Sequence, residues 1–213
     1  MRNVLILGAN GRIARRVSEM FLRESDIYQS HYLRDSERLR LRDDSKEAII
    51  EGDVRHLDVL EQAVATADIV YANLAGPDVV EEARAIIEAM THTGVRRLIW
   101  LSALGVYDEV PGSFGEWNHN MLDSALLERY GEAVDLIEAS ELDYTIVRLA
   151  WLTNKNEIDY ELTQKGEPFK GTEVSRKSVA ALVRSLIKDP SQYQRASLGI
   201  NKPHTDGDKP AWY

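Results

Sequence analysis

Hydrophobic positions along the chain follow two alternating rhythms. Short runs rich in β-branched or aliphatic residues occur at 4–7, 49–51, 69–74, 97–102 and 145–149, and each predicts a strand; a further strand, the second of the chain, is expected at about 29–33. Between them lie longer stretches with apolar residues every three or four positions. Ile13, Val17, Met20 and Phe21 form one stripe, and Val80, Ala83, Ile86, Ile87 and Met90 form a second. A third spans about 121–139 with Leu126, Leu127, Ala133, Val134, Leu136 and Ile137, and a fourth starts at Ser175 with Val179, Ala180, Leu182, Val183 and Leu186. Gly94 stands where a left-handed C-cap would end the second helix. Strands that alternate with helices pair in parallel, with right-handed crossovers covering both faces. The pattern therefore predicts an α/β fold, a doubly wound parallel sheet in a three-layer α/β/α sandwich.

No repeat, low-complexity block or linker interrupts the chain, so residues 1–213 are expected to form a single domain. The segment 154–172 is polar and broken by Lys165-Gly166 and Lys170-Gly171, which suggests a hairpin or excursion beyond the C-terminal edge of the sheet. Substrate loops commonly sit there, so 103–120 and 150–175 are the expected substrate-side loops.

Composition narrows the chemistry. The 213 residues are 44% hydrophobic and 29% charged, enough for one substantial core. A formal net charge of -9 argues against a broad basic footprint for nucleic acid. The absence of cysteine excludes disulfides, thiolate metal sites and cysteine nucleophiles. The five histidines are scattered, with no His-Glu-x-x-His, and no Gly-x-Ser-x-Gly elbow occurs. No run approaches the roughly 20 apolar residues of a membrane span, and the run 4–7 is too short for a signal peptide. The expectation is a cytoplasmic protein without membrane or nucleic-acid partners, a monomer or weak homodimer acting on a small molecule.

The strongest local signal is the turn Gly8-Ala9-Asn10-Gly11-Arg12-Ile13-Ala14, between the first strand and the first helix. Gly8 permits a sharp exit from the strand. Gly11 lets backbone N–H groups approach a pyrophosphate, and Ala14 keeps helix and strand close. The G-x-x-G-x-x-A spacing gains force from its place in a βαβ unit, where it predicts a dinucleotide site; the alternative is a glycine turn that only connects two elements. The residue ending strand two should face the adenosine ribose, where an acid favours NAD and an arginine favours NADP. Arg34 is placed for a 2'-phosphate, and Arg38 and Arg12 would converge on the same anion. A slip of one residue would put Asp35 there and favour NAD, and Arg38, with Arg40 and Arg42 nearby, would serve equally as a solvated face.

These residues resemble the atypical short-chain dehydrogenase/reductases, in particular the NmrA-like branch and the NAD(P)H-dependent flavin/biliverdin-IXβ reductases, and chains often labelled NAD-dependent epimerase/dehydratase. The likeness rests on GANGRIA at Gly8, LRDSERL from Leu33, Gly52-Asp53-Val54, WLSALGVYDEVP from Trp100 and LDYTIVRLAWLT from Leu142, and so spans almost the whole chain. It implies that Asp53 and Val54 border the adenine and that Asn73-Leu74-Ala75-Gly76 line the central stretch of the cofactor. It also places Ser102 beside the nicotinamide and matches Arg34 and Arg38 to the arginines that hold the 2'-phosphate. Two departures stand out. Leu149 replaces the proline often found after the arginine of the TIVRP motif, and no tyrosine has a lysine four residues later. The missing Tyr-x-x-x-Lys pair disfavours alcohol and sugar oxidation, and with it an epimerase or dehydratase activity.

Hydride transfer to a flavin, quinone or similar conjugated acceptor needs no such pair, because the cofactor carries the chemistry. On that reading Ser102 is the first candidate for supplying a proton and Tyr107 the second, with packing under the loop 108–112 as the alternative for Tyr107. Trp117 and Trp151 are candidate walls of a cleft or ordinary packing residues, and His119 is not assigned a catalytic role. A non-enzymatic NAD(P) redox sensor is the competing class.

Overall fold

The computed structural model describes residues 1–213. Its centre is a sheet in which β1 (Arg2–Leu7), β2 (Ile27–Leu33), β3 (Glu47–Glu51), β4 (Ile69–Ala72), β5 (Arg97–Ala103), β6 (Asp143–Leu149), β8 (Glu161–Gln164) and β10 (Ala196–Asn201) lie in the order β3-β2-β1-β4-β5-β6-β10-β8. All neighbours run parallel except β8, which pairs antiparallel with β10 through Leu198–Gln164 to Asn201–Glu161. The strand order reverses between β1 and β4, and the crevice above their C-terminal ends is where such sheets bind ligands.

The continuous apolar runs of the strands follow from burial on both faces. Val4, Ile6, Ile69, Tyr71, Ile99 and Leu101 face α1 (Arg12–Phe21) and α6 (Arg176–Lys188). The alternate residues Leu5, Leu7, Val70, Ala72, Leu98 and Trp100 face α2 (Leu57–Val64), α3 (Val79–Thr93) and α5 (Ser124–Ala139). The predicted three-layer sandwich is thus present, and no helix is long and apolar enough to cross a membrane.

Several boundaries differ from the sequence reading. The stretch 121–139 is not one helix: Leu122 breaks it, and Asp123 caps α5 by accepting from the amides of Ala125 and Leu126. Residues 112–120, expected as loop, instead belong to α4 (Gly112–Met121). Phe114 is buried there, and Asn118 accepts a hydrogen bond of 2.9 Å from Trp151 Nε1. Tertiary contacts, not periodicity, stabilise this helix. The segment 154–172 is more than an excursion: it supplies β8 to the sheet edge, while β7 (Trp151–Thr153) and β9 (Glu173–Ser175) pair as a separate ribbon. The sheet is therefore mixed, not purely parallel, with β8 an antiparallel edge strand beside β10.

Below the crevice, Arg148 on β6 is fully buried and its Nη1 donates to Glu109 Oε1 at 2.6 Å. Glu109 also accepts from the amides of Gly105 and Tyr107, at 3.1 and 3.0 Å. The arginine of the TIVRL stretch thereby pins the loop that leaves β5.

Candidate functional site

β1 delivers the glycine turn to the crevice. Gly8 has φ +70°, and a Cβ there would lie 2.4 Å from the Asn73 carbonyl oxygen, so no other residue fits without displacing backbone. Gly11 has the Asn73 side chain against it: a Cβ would meet Nδ2 at 1.9 Å. Asn73 in turn reaches Gly8 O at 3.4 Å and is near the Tyr71 hydroxyl at 3.3 Å, so the end of β4 shapes the turn. α1 begins at Arg12 with no side chain capping its first amides. Those N–H groups and the helix dipole are free for an anion.

Two grooves meet at Asn73, Leu74 and Ala75. The first, about 390 Å³, is polar and is lined by Gly8, Asn10, Gly11, Arg34, Asp35, Arg38, Asp53 and Val54 among others. Arg34 directly follows β2, and a 3-10 turn at Ser36–Arg38 brings Arg38 to the same rim. Neither guanidinium has a carboxylate within salt-bridge distance, whereas Asp53 is held bidentately by Arg55, at 3.0 and 2.7 Å. The hydrogen bonds from Arg55 keep the Asp53 carboxyl well below the usual carboxylate range. Arg55 also reaches Asp78 at 3.2 Å, tying the end of β3 to the start of α3. Arg15 donates to the Asn10 side chain and, at 3.0 Å, to Arg38 O, so it joins the glycine turn to the arginine rim.

The second groove, about 510 Å³, is apolar and contains Ile13, Leu126, Tyr130, Leu149, Trp151 and Trp212 in its lining. Ser102 stands at the end of β5 in this groove, buried, with its Oγ lacking any hydrogen-bond partner. A buried hydroxyl without a protein partner leaves its donor and acceptor capacity open to a group in the groove. Tyr130 accepts from the Gly76 amide at 3.4 Å, and burial raises its pKa, so the phenol stays protonated.

Of the residues singled out from the sequence, Gly8, Asn10, Gly11, Ile13, Arg34, Arg38, Asp53, Val54, Asn73, Leu74, Ala75 and Ser102 therefore line one groove or the other. Arg12 is exposed at the turn and lines neither, and Gly76 lies just past the lining. Tyr107 is set aside from both: its hydroxyl donates to Glu138 at 2.8 Å, and its ring lies under Arg148 at 5.2 Å and Lys165 at 4.4 Å. The salt-bridged loop turns this side chain toward α5, so packing describes it better than proton donation. Trp151 forms a wall, but Trp117 packs behind it at 4.8 Å and His119 is exposed. Glu82, Trp212 and Arg176 line the grooves without having been singled out from the sequence, and Tyr130, which the sequence reading gave no role, lines the apolar groove as well. A signal existed only for Tyr130, since Leu122, Leu126 and Tyr130 recur every four residues.

The comparisons with known proteins agree with this geometry. A family model described as NAD(P)H-binding matches residues 8–190. The chain belongs to the NAD(P)H-binding family. This member resembles a Rossmann-fold NAD(P)-binding family protein from Shigella flexneri, with 44% identity over 99% of this chain and 98% of that one and a TM-score of 0.86. It also resembles a short-chain dehydrogenase/reductase from Veillonella parvula DSM 2008 solved in complex with NADP, with 30% identity over 99% of both chains and a TM-score of 0.92. ChuY, an anaerobillin reductase from Escherichia coli O157:H7, shares the fold at 18% identity over 96% of this chain and 99% of that one, with a TM-score of 0.79. No curated protein sequence matches the chain. The NAD(P)H-binding family thus accounts for the glycine turn, the sheet order and the crevice together. Uncapped amides on α1, unpaired arginines at the rim and an orphaned serine hydroxyl in the adjoining groove fit a nicotinamide dinucleotide.

Proposed function

We propose that the protein is an NADP(H)-dependent reductase of flavins, quinones or similar conjugated acceptors. The observation that carries this reading is the union of a polar groove, rimmed by two unpaired arginines, with an apolar groove that holds Ser102 and Tyr130. The α1 amides would take the pyrophosphate, and Arg34 with Arg38 the 2'-phosphate. Asp53 and Val54 would border the adenine. When bound, the reduced nicotinamide supplies a hydride. The chain's own contribution is then to align a planar acceptor against apolar walls, exclude water, and donate a proton from Tyr130 or Ser102. The titration of Arg34→Ala with NADP and NAD tests the cofactor side: NADP affinity should fall by about 10- to 100-fold while NAD affinity stays unchanged. Consumption of NADPH on adding FMN or a quinone tests the chemistry, and a flat trace across a broad acceptor panel would reject the reductase reading.

A further inference from the structure

Arg176 opens α6 and is the one charged side chain among the residues lining the apolar groove. Its Nη1 donates to Leu152 O at 3.2 Å and to Asn154 Oδ1 at 3.1 Å, which fixes the guanidinium at the rim. The Nε and Nη2 edge has no partner, and no carboxylate lies within salt-bridge distance. Its surroundings make matters worse for the charge: burial and the nearby Arg12 and Arg16 guanidinium groups lower its pKa. A half-buried cation with like-charged neighbours and no counter-ion is electrostatically unsatisfied. The free edge of a guanidinium presents two parallel N–H donors, the geometry that takes a carboxylate or phosphate side-on.

We infer that Arg176 selects acceptors carrying an anionic group, so that the substrate is a planar conjugated molecule with a carboxylate, phosphate or sulfonate at one end. The inference rests on the proposal that the apolar groove is the acceptor site. The groove volume, about 510 Å³, suits such a molecule. Trp151 and Trp212 supply flat apolar surface, and Arg176 supplies the only fixed charge. The preference would run against the field of the whole chain, whose net charge of -9 repels anions. A measured bias toward the anionic ligand therefore has to come from a local group.

The test compares matched ligand pairs, FMN with riboflavin and 1,4-naphthoquinone-2-sulfonate with 1,4-naphthoquinone. Each is titrated by tryptophan fluorescence into wild type, Arg176→Met and Arg176→Lys, with oxidised NADP present so that no turnover occurs. Wild type should bind the anionic member of at least one pair about 10- to 100-fold more tightly. Arg176→Met should erase that preference and leave the neutral member unchanged, with Arg176→Lys recovering part of it. Absence of a charge preference in both pairs, or a preference that survives in Arg176→Met, overturns the inference. So does an equal loss of NADP affinity in Arg176→Met, because the arginine would then serve the cofactor's pyrophosphate. NADPH turnover is followed separately. Arg176-dependent binding without reduction of any ligand would retain the anion site and remove the reductase reading, and efficient reduction without charge preference would do the reverse.

Discussion

Replacing Glu82 by glutamine should stabilise the protein above neutral pH and have little effect in acid. Glu82 sits in the first turns of α3 at the wall of the polar groove, with Oε2 buried and without a partner. Burial first, then the Asp78 and Asp53 carboxylates, push its pKa from the ordinary 4.5 up to about 7, against the opposing charges of Arg34 and Arg55. The folded chain therefore keeps a proton that the unfolded chain releases between those two values. Wild-type stability falls as pH rises through this window, and the full deficit is present above it. At about 1.4 kcal/mol per pH unit the displacement corresponds to about 3 kcal/mol. Because the rest of the side chain is half-exposed, solvent screening reduces this to about 1–2 kcal/mol. Glutamine keeps the shape and removes the charge. Urea denaturation of both proteins at about pH 5 and about pH 8 should show a gain of that size for Glu82→Gln at the higher pH and a much smaller one at the lower. An equal difference at both pH values, or a less stable variant at about pH 8, would refute the reasoning.

Three further outcomes follow from the same geometry. Gly8→Ala combines a positive φ with a backbone clash and should cost about 2–3 kcal/mol in urea denaturation. Arg148→Met strands the Glu109 carboxylate in the interior and should cost about 3–5 kcal/mol, while the double variant Arg148→Met/Glu109→Gln recovers a large part; calorimetry or denaturant titration of the three variants checks it. If Tyr130 donates the proton, steady-state kinetics of Tyr130→Phe should show kcat lowered by about 10-fold with the NADPH affinity unchanged, and Tyr107→Phe should leave kcat alone.

The glycine turn and Arg34 were legible in the sequence because each depends on a few consecutive residues. Gly8 and Gly11 answer a local backbone demand at the end of β1, and Arg34 follows a strand whose end could be placed. Arg55 lay beside Asp53 in the chain, yet its clamp on that carboxylate depends on a side-chain rotamer that spacing does not specify. Nothing in the local pattern marks helix α4, because its stability comes from Phe114 and Asn118 meeting β7 and the core, not from a periodic stripe.

By itself the sequence determined the alternation of strands and helices, hence the doubly wound sheet, and the glycine turn with which the first strand enters its helix. Hydrophobic periodicity and glycine stereochemistry are short-range properties, and they act before any distant contact forms. Only the tertiary structure decided the apolar groove. Ser102, Tyr130, Trp151, Arg176 and Trp212 come from β5, α5, β7, α6 and the C-terminal tail, and they share one groove because the sheet brings those ends together. It also decided that Tyr107 turns away, since the Arg148–Glu109 pair and Glu138, all distant in sequence or reached through the fold, set its direction.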